Sequence, residues 1–425
     1  MNMDKLILKQ IIRDNQSEVE RYEIMPRKVM LNDFPCIVIV GVRRSGKSYM
    51  LFQKMQELLA EGRKWDEMLY VNFEDERLSD FTASDFNKLL ECHGEMYGKR
   101  PMLFLDEIQN VDHWEKFARR MADTGYSVYL TGSNAKMLSG EINTTLGGRF
   151  LVKEIYPYDL TEFLKIHHVS VDKNDIISTQ GHISLIRKYE EYLHDGGLPG
   201  GALLPVRTNY LNSVYQKIYL GDIIARNKVS NIAGIRVLVR KMAESVCRPI
   251  SYNRINSIMS SVGGKLSLAT TIKYIEYCED AWLLLRLKNY VSCLADKESI
   301  CKYYFIDNGI LRLFLIDKDS MLLENMVALH LFRMYGHDMD NEQVYFYNDG
   351  FEVDFYVPNE ELAIQVSYSL NDQDTRKREV DALKKLPNRL PCKRRLILTY
   401  DEEEQIDDSH GVIEVMPCWK YLLNF

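Results

Sequence analysis

Apolar residues come along this chain in short uninterrupted blocks, separated by stretches with helical spacing, which is the alternation of an α/β fold built on a parallel sheet. The first block, Cys36-Ile-Val-Ile-Val40, has no polar interruption and is short enough for a strand buried on both faces. Residues 49–59 then carry apolar positions three and four apart, as an amphipathic helix does. Further strand-like blocks lie at 68–73, 101–105, 127–131 and 149–155, with a helix-like segment at 114–122. From about 158 to 246 the rhythm is helical throughout, clearest in 183–193 and 210–224. Residues 250–290 change rhythm: a short helix near 252–259, a turn at Gly263-Gly264, a second helix over 267–278 and a strand over 281–287. The last part predicts a helix at 321–331, strands at 344–347, 352–357 and 362–366, a charged helix at 375–385 and a strand at 395–399.

Chemistry enters where the first strand meets the first helix. Gly41-Val-Arg-Arg-Ser-Gly-Lys-Ser48 is a complete phosphate-binding loop in strand–loop–helix context, with Tyr49 opening the helix. Backbone N–H groups of Gly41, Val42, Arg43, Arg44, Ser45 and Gly46 and the positive helix end converge on phosphates, Lys47 adds a mobile charge, and the Ser48 hydroxyl suits Mg²⁺. These residues point to a nucleoside triphosphate. The block at 101–105 ends in Asp106-Glu107. Asp106 is expected to hold Mg²⁺ through its water shell and Glu107 to polarise the attacking water, since in-line phosphoryl transfer depends on positioning and charge compensation. A further strand, 68–73, precedes Asp106 in sequence, the spacing of ATPases with an inserted strand. The strand at 127–131 runs into Gly132-Ser133-Asn134, where Asn134, ahead of Ser133, is the candidate to reach the γ-phosphate or the water; the same residues are also ordinary turn chemistry. Arg149 has two readings, contact with a γ-phosphate in its own or a neighbouring subunit, or a plain ion pair. Arg226 is a second candidate for a phosphate-sensing arginine, with a solvated helix end as the alternative.

Length and charge narrow the partners. At 425 residues the chain has room for two or three domains. A net charge of −7 argues against coating nucleic acid with the whole surface and leaves room for a local basic patch. Eight cysteines include no Cys-x-x-Cys pair, so neither a zinc site nor a disulfide framework is expected. With no apolar run near the roughly 20 residues that span a bilayer, and no signal-like start, the expected address is the cytoplasm, without membrane contact.

Gly41 to Ser48, Leu103-Phe-Leu-Asp-Glu-Ile-Gln109, Leu130-Thr-Gly-Ser-Asn134 and Gly148-Arg149 together resemble the AAA-type ATPase domain of a large group of bacterial and archaeal ATP-binding proteins, in which a C-terminal domain of unknown function follows. The resemblance continues through Tyr156-Pro-Tyr-Asp-Leu-Thr-Glu-Phe163, Gly196-Gly-Leu-Pro199, Tyr304-Phe-Ile-Asp-Asn-Gly309 and Glu352-Val-Asp354, nearly the whole chain. It implies ATP binding and an AAA-type fold.

The expected architecture is a P-loop core over 1–157, a helical lid over 158–247, a winged-helix-like segment over 248–300 and a nuclease-like domain over 301–425. In the winged-helix order the second helix enters the major groove; Thr270, Thr271, Lys273 and Tyr274 are candidates to face DNA, with protein docking as the alternative. The last element order resembles the restriction-endonuclease-like fold, whose sites place an Asp on one strand and a Glu/Gln-x-Lys triplet on the next around Mg²⁺. Asp354 and Gln365 fit, and Glu324 adds a helix carboxylate. The lysine position is Ser367, so the expectation is a degenerate domain that binds a DNA or protein partner without cutting, its basic contacts drawn from Arg376, Lys377, Arg378, Lys384 and Lys385. A homo-oligomer is a further expectation. Three classes of function fit: an ATPase machine acting on a partner, a slow nucleotide-dependent switch, and an ATP-dependent DNA-processing nuclease.

Overall fold

The apolar block at 36–40 forms strand β1 (Cys36–Val40), all five residues of which are buried, as befits β-branched side chains in the middle of a sheet. In the computed structural model, which describes residues 3–29, 31, 34–135, 148–263, 266–291, 296, 299–316, 318–336 and 343–424, two compact units divide the chain at Ile155/Tyr156.

The first unit, Met1–Ile155, adds β2 (Met68–Asn72), β3 (Met102–Asp106), β4 (Val128–Gly132) and β5 (Phe150–Glu154) to β1, in the parallel order β2-β3-β4-β1-β5. One strand therefore separates the glycine-loop strand from the strand bearing Asp106, as the spacing predicts. Helices α1 (Lys5–Arg21), α2 (Lys47–Ala60), α3 (Phe86–Tyr97) and α4 (Trp114–Asp123) belong to the same unit. Asp4 caps α1 by accepting from the Leu6 N–H. Under the sheet, Ile37, Ile39, Met50, Leu51, Met55, Phe104 and Tyr129 share one core, each large side chain contributing about 1.5–3 kcal/mol by burial.

The second unit, Tyr156–Phe425, begins with α5 (Leu160–Ile166), α6 (Lys173–Ile177), α7 (Thr179–Asp195) and α8 (Thr208–Lys217), which runs into a π-helical turn (Ile218–Ala225), followed by α9 (Ile232–Glu244). Asp159 and Glu162 close a capping box at the start of α5. The stretch expected as a lid is helical, but it is built into this unit. The Asn308 amide donates to the Leu193 and Leu322 carbonyls at 2.8 Å each, and Asp307 accepts from the Gly197 N–H at 2.8 Å. These bonds fasten α7 to α12 (Asn308–Arg312) and α13 (Asp319–Tyr335), once α10 (Tyr252–Gly263) and α11 (Leu268–Asp280) have intervened in the chain.

Between α9 and α12, β6 (Ile250–Ser251), β7 (Leu284–Leu287) and β8 (Ile300–Phe305) form a small antiparallel sheet in the order β6-β8-β7. The strand β8 falls across the expected boundary at 300, and α9, which packs on α10, belongs to the same layer. Gly264 and residues 292–295 lie outside the described residues. On α11, Thr271 and Tyr274 point inward, the former bonded to Asn256 at 2.8 Å, so of the four residues proposed to face DNA Lys273 is exposed and Thr270 half-buried.

The C-terminal sheet has six strands, β9 (Tyr345–Asn348), β10 (Glu352–Val357), β11 (Leu362–Val366), β12 (Arg394–Thr399), β13 (Glu404–Asp408) and β14 (Gly411–Pro417), in the order β13-β14-β12-β11-β10-β9, with α14 (Gln373–Lys385) and α15 (Cys418–Leu422). The hairpin β13–β14 is absent from the sequence reading because acidic residues break its alternation. Among the described residues no helix is long and apolar enough to cross a membrane, and the cysteines are free.

Candidate nucleotide-binding site

The loop between β1 and α2 can take its shape only with glycine at two points. Gly41 has φ of 152°, and a Cβ there would meet the Ile155 carbonyl oxygen at 2.1 Å; Gly46 has φ of 98° just ahead of α2. Arg44 also takes a positive φ, 67°, leaving its side chain exposed, while Arg43 pairs with Glu74 at 2.7 Å. Lys47 is buried: its ammonium donates to the Val42 carbonyl at 3.1 Å and stands 3.6 Å from Glu107. Tyr49 turns outward, its ring edge-on to Tyr22.

Parallel register brings the strand ends to the loop. Val40 lies beside Gly132, and Asn72 beside Asp106, so Asp106, Glu107, Thr131 and Ser133 gather at the C-terminal edge of the sheet. Asp106 is fully buried and accepts from Thr131 and, at 3.0 Å, from the Tyr70 hydroxyl. Burial, then the charge of Glu107, pushes its carboxyl up to about 6 against the hydrogen bonds from Thr131, Ser48 and Tyr70. Glu107 feels the same burial, but the Lys47 charge and the Gln109 amide outweigh it and hold it below the usual range. Its backbone sits in the left-handed region at φ of 50°, a strain of about 1–3 kcal/mol that functional sites often carry. Thr131 also accepts from the Glu107 N–H at 2.9 Å, and Gln109 reaches Ser133 at 3.3 Å. Two polar atoms here are buried without a partner among the described residues, Ser45 Oγ and Gln109 Oε1. A phosphate and a metal-bound water fit these groups, and Ser48 with Asp106 is a hard-oxygen pair suited to Mg²⁺.

Asn134 follows β4 by two residues and is half-buried. Thr131, which links both carboxylate residues, was missed by sequence reasoning; its signal was a polar residue closing an apolar strand. Arg149 requires a correction. It precedes β5, whose first residue pairs with the first residue of β1, so it stands at the opposite edge of the sheet, about 17 Å of strand from the loop. There it pairs with Asp123 of α4, and contact with the γ-phosphate of its own subunit is ruled out. Leu146 and Gly147 ahead of it lie outside the described residues. Arg226 is likewise an ion-pairing residue, 3.0 Å from Asp222 one turn earlier.

The nuclease-like residues also meet. The Asp354 N–H donates to Gln365 at 2.7 Å, and Asp354 accepts from the Val366 N–H at 2.9 Å. Glu324 accepts from the Tyr304 hydroxyl at 2.9 Å. The missing lysine arrives from another strand: Lys302 of β8, with a fully buried side chain, lies 2.8 Å from Glu352, 3.0 Å from Asp354 and 3.4 Å from Glu324. Burial lowers its ammonium, but the three carboxylates more than offset this and raise it. Burial, with the Asp354 charge, raises Glu324 to about 8, and burial raises Glu379, which accepts from Gln365 at 2.7 Å, to about 7. The expectation that Ser367 removes the positive charge is thus corrected. Lysines are almost never buried unless paired, so a lone lysine within Ile300-Cys-Lys-Tyr-Tyr-Phe305 was a legible signal. Of the five basic residues on or near α14, Arg376 pairs with Glu404 and Arg378 with Glu379, which thins the expected basic face.

A glycine loop on β1, paired carboxylates one strand removed and the order β2-β3-β4-β1-β5 define the class, a P-loop NTPase of AAA type. The family model described as "AAA domain" matches residues 33–164, and two models of domains of unknown function match 186–320 and 320–421. The chain is 33% identical to Uncharacterized protein MJ1544 of Methanocaldococcus jannaschii, covering 99% of this chain and 96% of that protein, and it belongs to the same family. An uncharacterized protein of Haemophilus influenzae is 28% identical, over 96% of this chain and 100% of its own length. Among solved structures, Cdc6p from Pyrobaculum aerophilum aligns with 12% identity over 76% of this chain and 93% of that one, at a TM-score of 0.27, too low to carry an argument.

Proposed function

We propose that this protein binds ATP with Mg²⁺ and hydrolyses it at the C-terminal edge of the first sheet. The observation that carries the reading is the convergence of Lys47, Asp106, Glu107 and Thr131 on one loop. Lys47 serves the β- and γ-phosphates, the loop N–H groups and the end of α2 take the remaining charge, and Ser48 and Asp106 hold the metal. Bound Mg²⁺ supplies charge compensation on the β- and γ-oxygens. Glu107 orients and polarises the water, Thr131 fixes Asp106 and the Glu107 backbone, and Asn134 reaches toward the γ-phosphate. The test is phosphate release from Mg²⁺-ATP by the full chain. No release above the Glu107→Gln background overturns the reading; turnover well below about 1 s⁻¹ assigns a switch rather than a machine.

The second unit is read as the partner-binding part. Its segment from α9 to β8 is read as a winged helix, and its C-terminal sheet as a nuclease-like fold in which the Lys302 ammonium offsets part of the acidic centre's charge. A DNA or protein partner is proposed to bind this unit, with cleavage left to the following test. Mg²⁺- or Mn²⁺-dependent nicking of DNA that Asp354→Ala abolishes would instead support the nuclease.

A further inference from the structure

The second unit holds a cavity of about 520 Å³ that neither the nucleotide loop nor the Lys302 cluster uses. It lies between α8 with its π-helical turn, α9, and Leu313 and Phe314 just after α12. Two of its walls are chemically distinct. One presents Arg236 and Arg240, four residues apart on α9 and so on one face of it, both exposed and neither ion-paired among the described residues. Other arginines of this unit, Arg226, Arg286, Arg312 and Arg376 among them, each meet a carboxylate.

The facing wall is aromatic. Tyr215 and Tyr219 stack at 5.6 Å with 23° between their planes, and Phe314 meets Tyr215 edge-on at 5.1 Å. The Tyr219 hydroxyl donates to the Ile232 carbonyl at 2.9 Å, which locks its ring across to the start of α9. Tyr219 belongs to the π-helical turn, a rare geometry frequent at functional sites. Gln216 adds an amide at the rim. Among the described residues the one carboxylate in the lining, Glu244, stands 3.4 Å from Lys241, and neither guanidinium meets a carboxylate.

Paired, planar guanidinium groups match phosphate oxygens bidentately, and aromatic faces stack on bases. We propose that this cavity binds a nucleotide unit, its phosphate on Arg236 and Arg240 and its base against Phe314, which the buried pair Tyr215 and Tyr219 backs, taken either free or within a single strand. An acidic peptide without aromatic residues would use the arginines but has no group for the rings.

The test uses the full chain carrying Lys47→Ala, so that the phosphate loop does not compete, with a fluorescent hexathymidylate as probe and TMP, inorganic phosphate and hexaglutamate as competitors. The expected result is retention of the probe at low salt, weakened at least about tenfold by Arg236→Ala/Arg240→Ala, equivalent to about 1.4 kcal/mol. Both arginines are exposed, so the double variant keeps its melting temperature. Phe314→Leu weakens the probe without changing the half-displacing concentration of phosphate relative to it by more than the same factor. Displacement by TMP assigns a free nucleotide, and displacement only by unlabelled strand assigns single-stranded nucleic acid; both support the proposal. Equal binding by the double variant, no retention, or displacement by hexaglutamate as effective as by the unlabelled strand overturns it.

Discussion

Glu107 is held in a strained backbone conformation, 3.6 Å from Lys47, with its N–H on Thr131. Glu107→Gln is therefore expected to keep nucleotide binding and lose hydrolysis, whereas Lys47→Ala loses binding; fluorescent-nucleotide titration and phosphate release separate the two. Thr131→Val keeps the volume but removes the hydroxyl that serves both carboxylate residues, and hydrolysis is expected to fall at least about tenfold with little change in nucleotide affinity, one hydrogen bond to a charged group being worth about 1.5–3 kcal/mol. Unchanged turnover would remove Thr131 from this role. Arg149 forms an exposed pair with Asp123, worth about 0–1 kcal/mol, so Arg149→Ala should barely move the melting temperature. If it serves a neighbouring subunit, hydrolysis falls about a thousandfold and returns when the variant is mixed with Lys47→Ala protein. The loop and the Asp106–Glu107 pair were legible because each directly follows an uninterrupted apolar block that reads as a buried strand. Thr131 was not, since its role depends on which strand lies beside β3, and a sequence does not state strand order.

At the level of single elements, β8 carries the clearest consequence. One ammonium, Lys302, faces Glu324, Glu352 and Asp354, and burial together with the Asp354 charge raises Glu324 to about 8. Its ordinary value is 4.5, so between pH about 4.5 and 8 the folded chain holds a proton that the unfolded chain releases. Stability contributed by this group is therefore present at low pH and lost as pH rises through that window. Denaturant unfolding of wild type at pH 5, 6.5 and 8.5 should show a decline that Glu324→Gln flattens; an identical slope in the variant would contradict the assignment. Removing Lys302 instead, as Lys302→Ala, leaves carboxylates buried without a counter-charge and should cost about 3–5 kcal/mol. The strands of this region were readable by alternation and composition, but the lysine that completes the cluster lies 65 positions before Ser367, where a local triplet gave no hint of it.

Across the whole molecule, two compact units imply two unfolding events. Mg²⁺-ATP at a hundredfold excess over its dissociation constant should stabilise the first by about 2.7 kcal/mol. Scanning calorimetry should show one transition moving with nucleotide while the other stays, and no movement in Lys47→Ala; a single transition that shifts as one would contradict this division. The unit boundary at Ile155 was close to the sequence expectation of 157, because the fifth strand closes the first sheet there. The expected breaks at 247 and 300 both fall within the second unit. Helical spacing reads the same in a detachable lid as in a helix fastened from afar, and the fastening bonds, from Asn308 to Leu193 and Asp307 to Gly197, span more than a hundred residues.

Lys302 sits where three acidic groups meet, and it is covalently part of the chain. A centre balanced by dissolved ions changes character with their supply, whereas this one is completed as the polypeptide folds. If the proposed ATPase reading holds, a chelator should stop hydrolysis in the first unit while the Lys302 cluster, which carries its own cation, leaves the second unit folded.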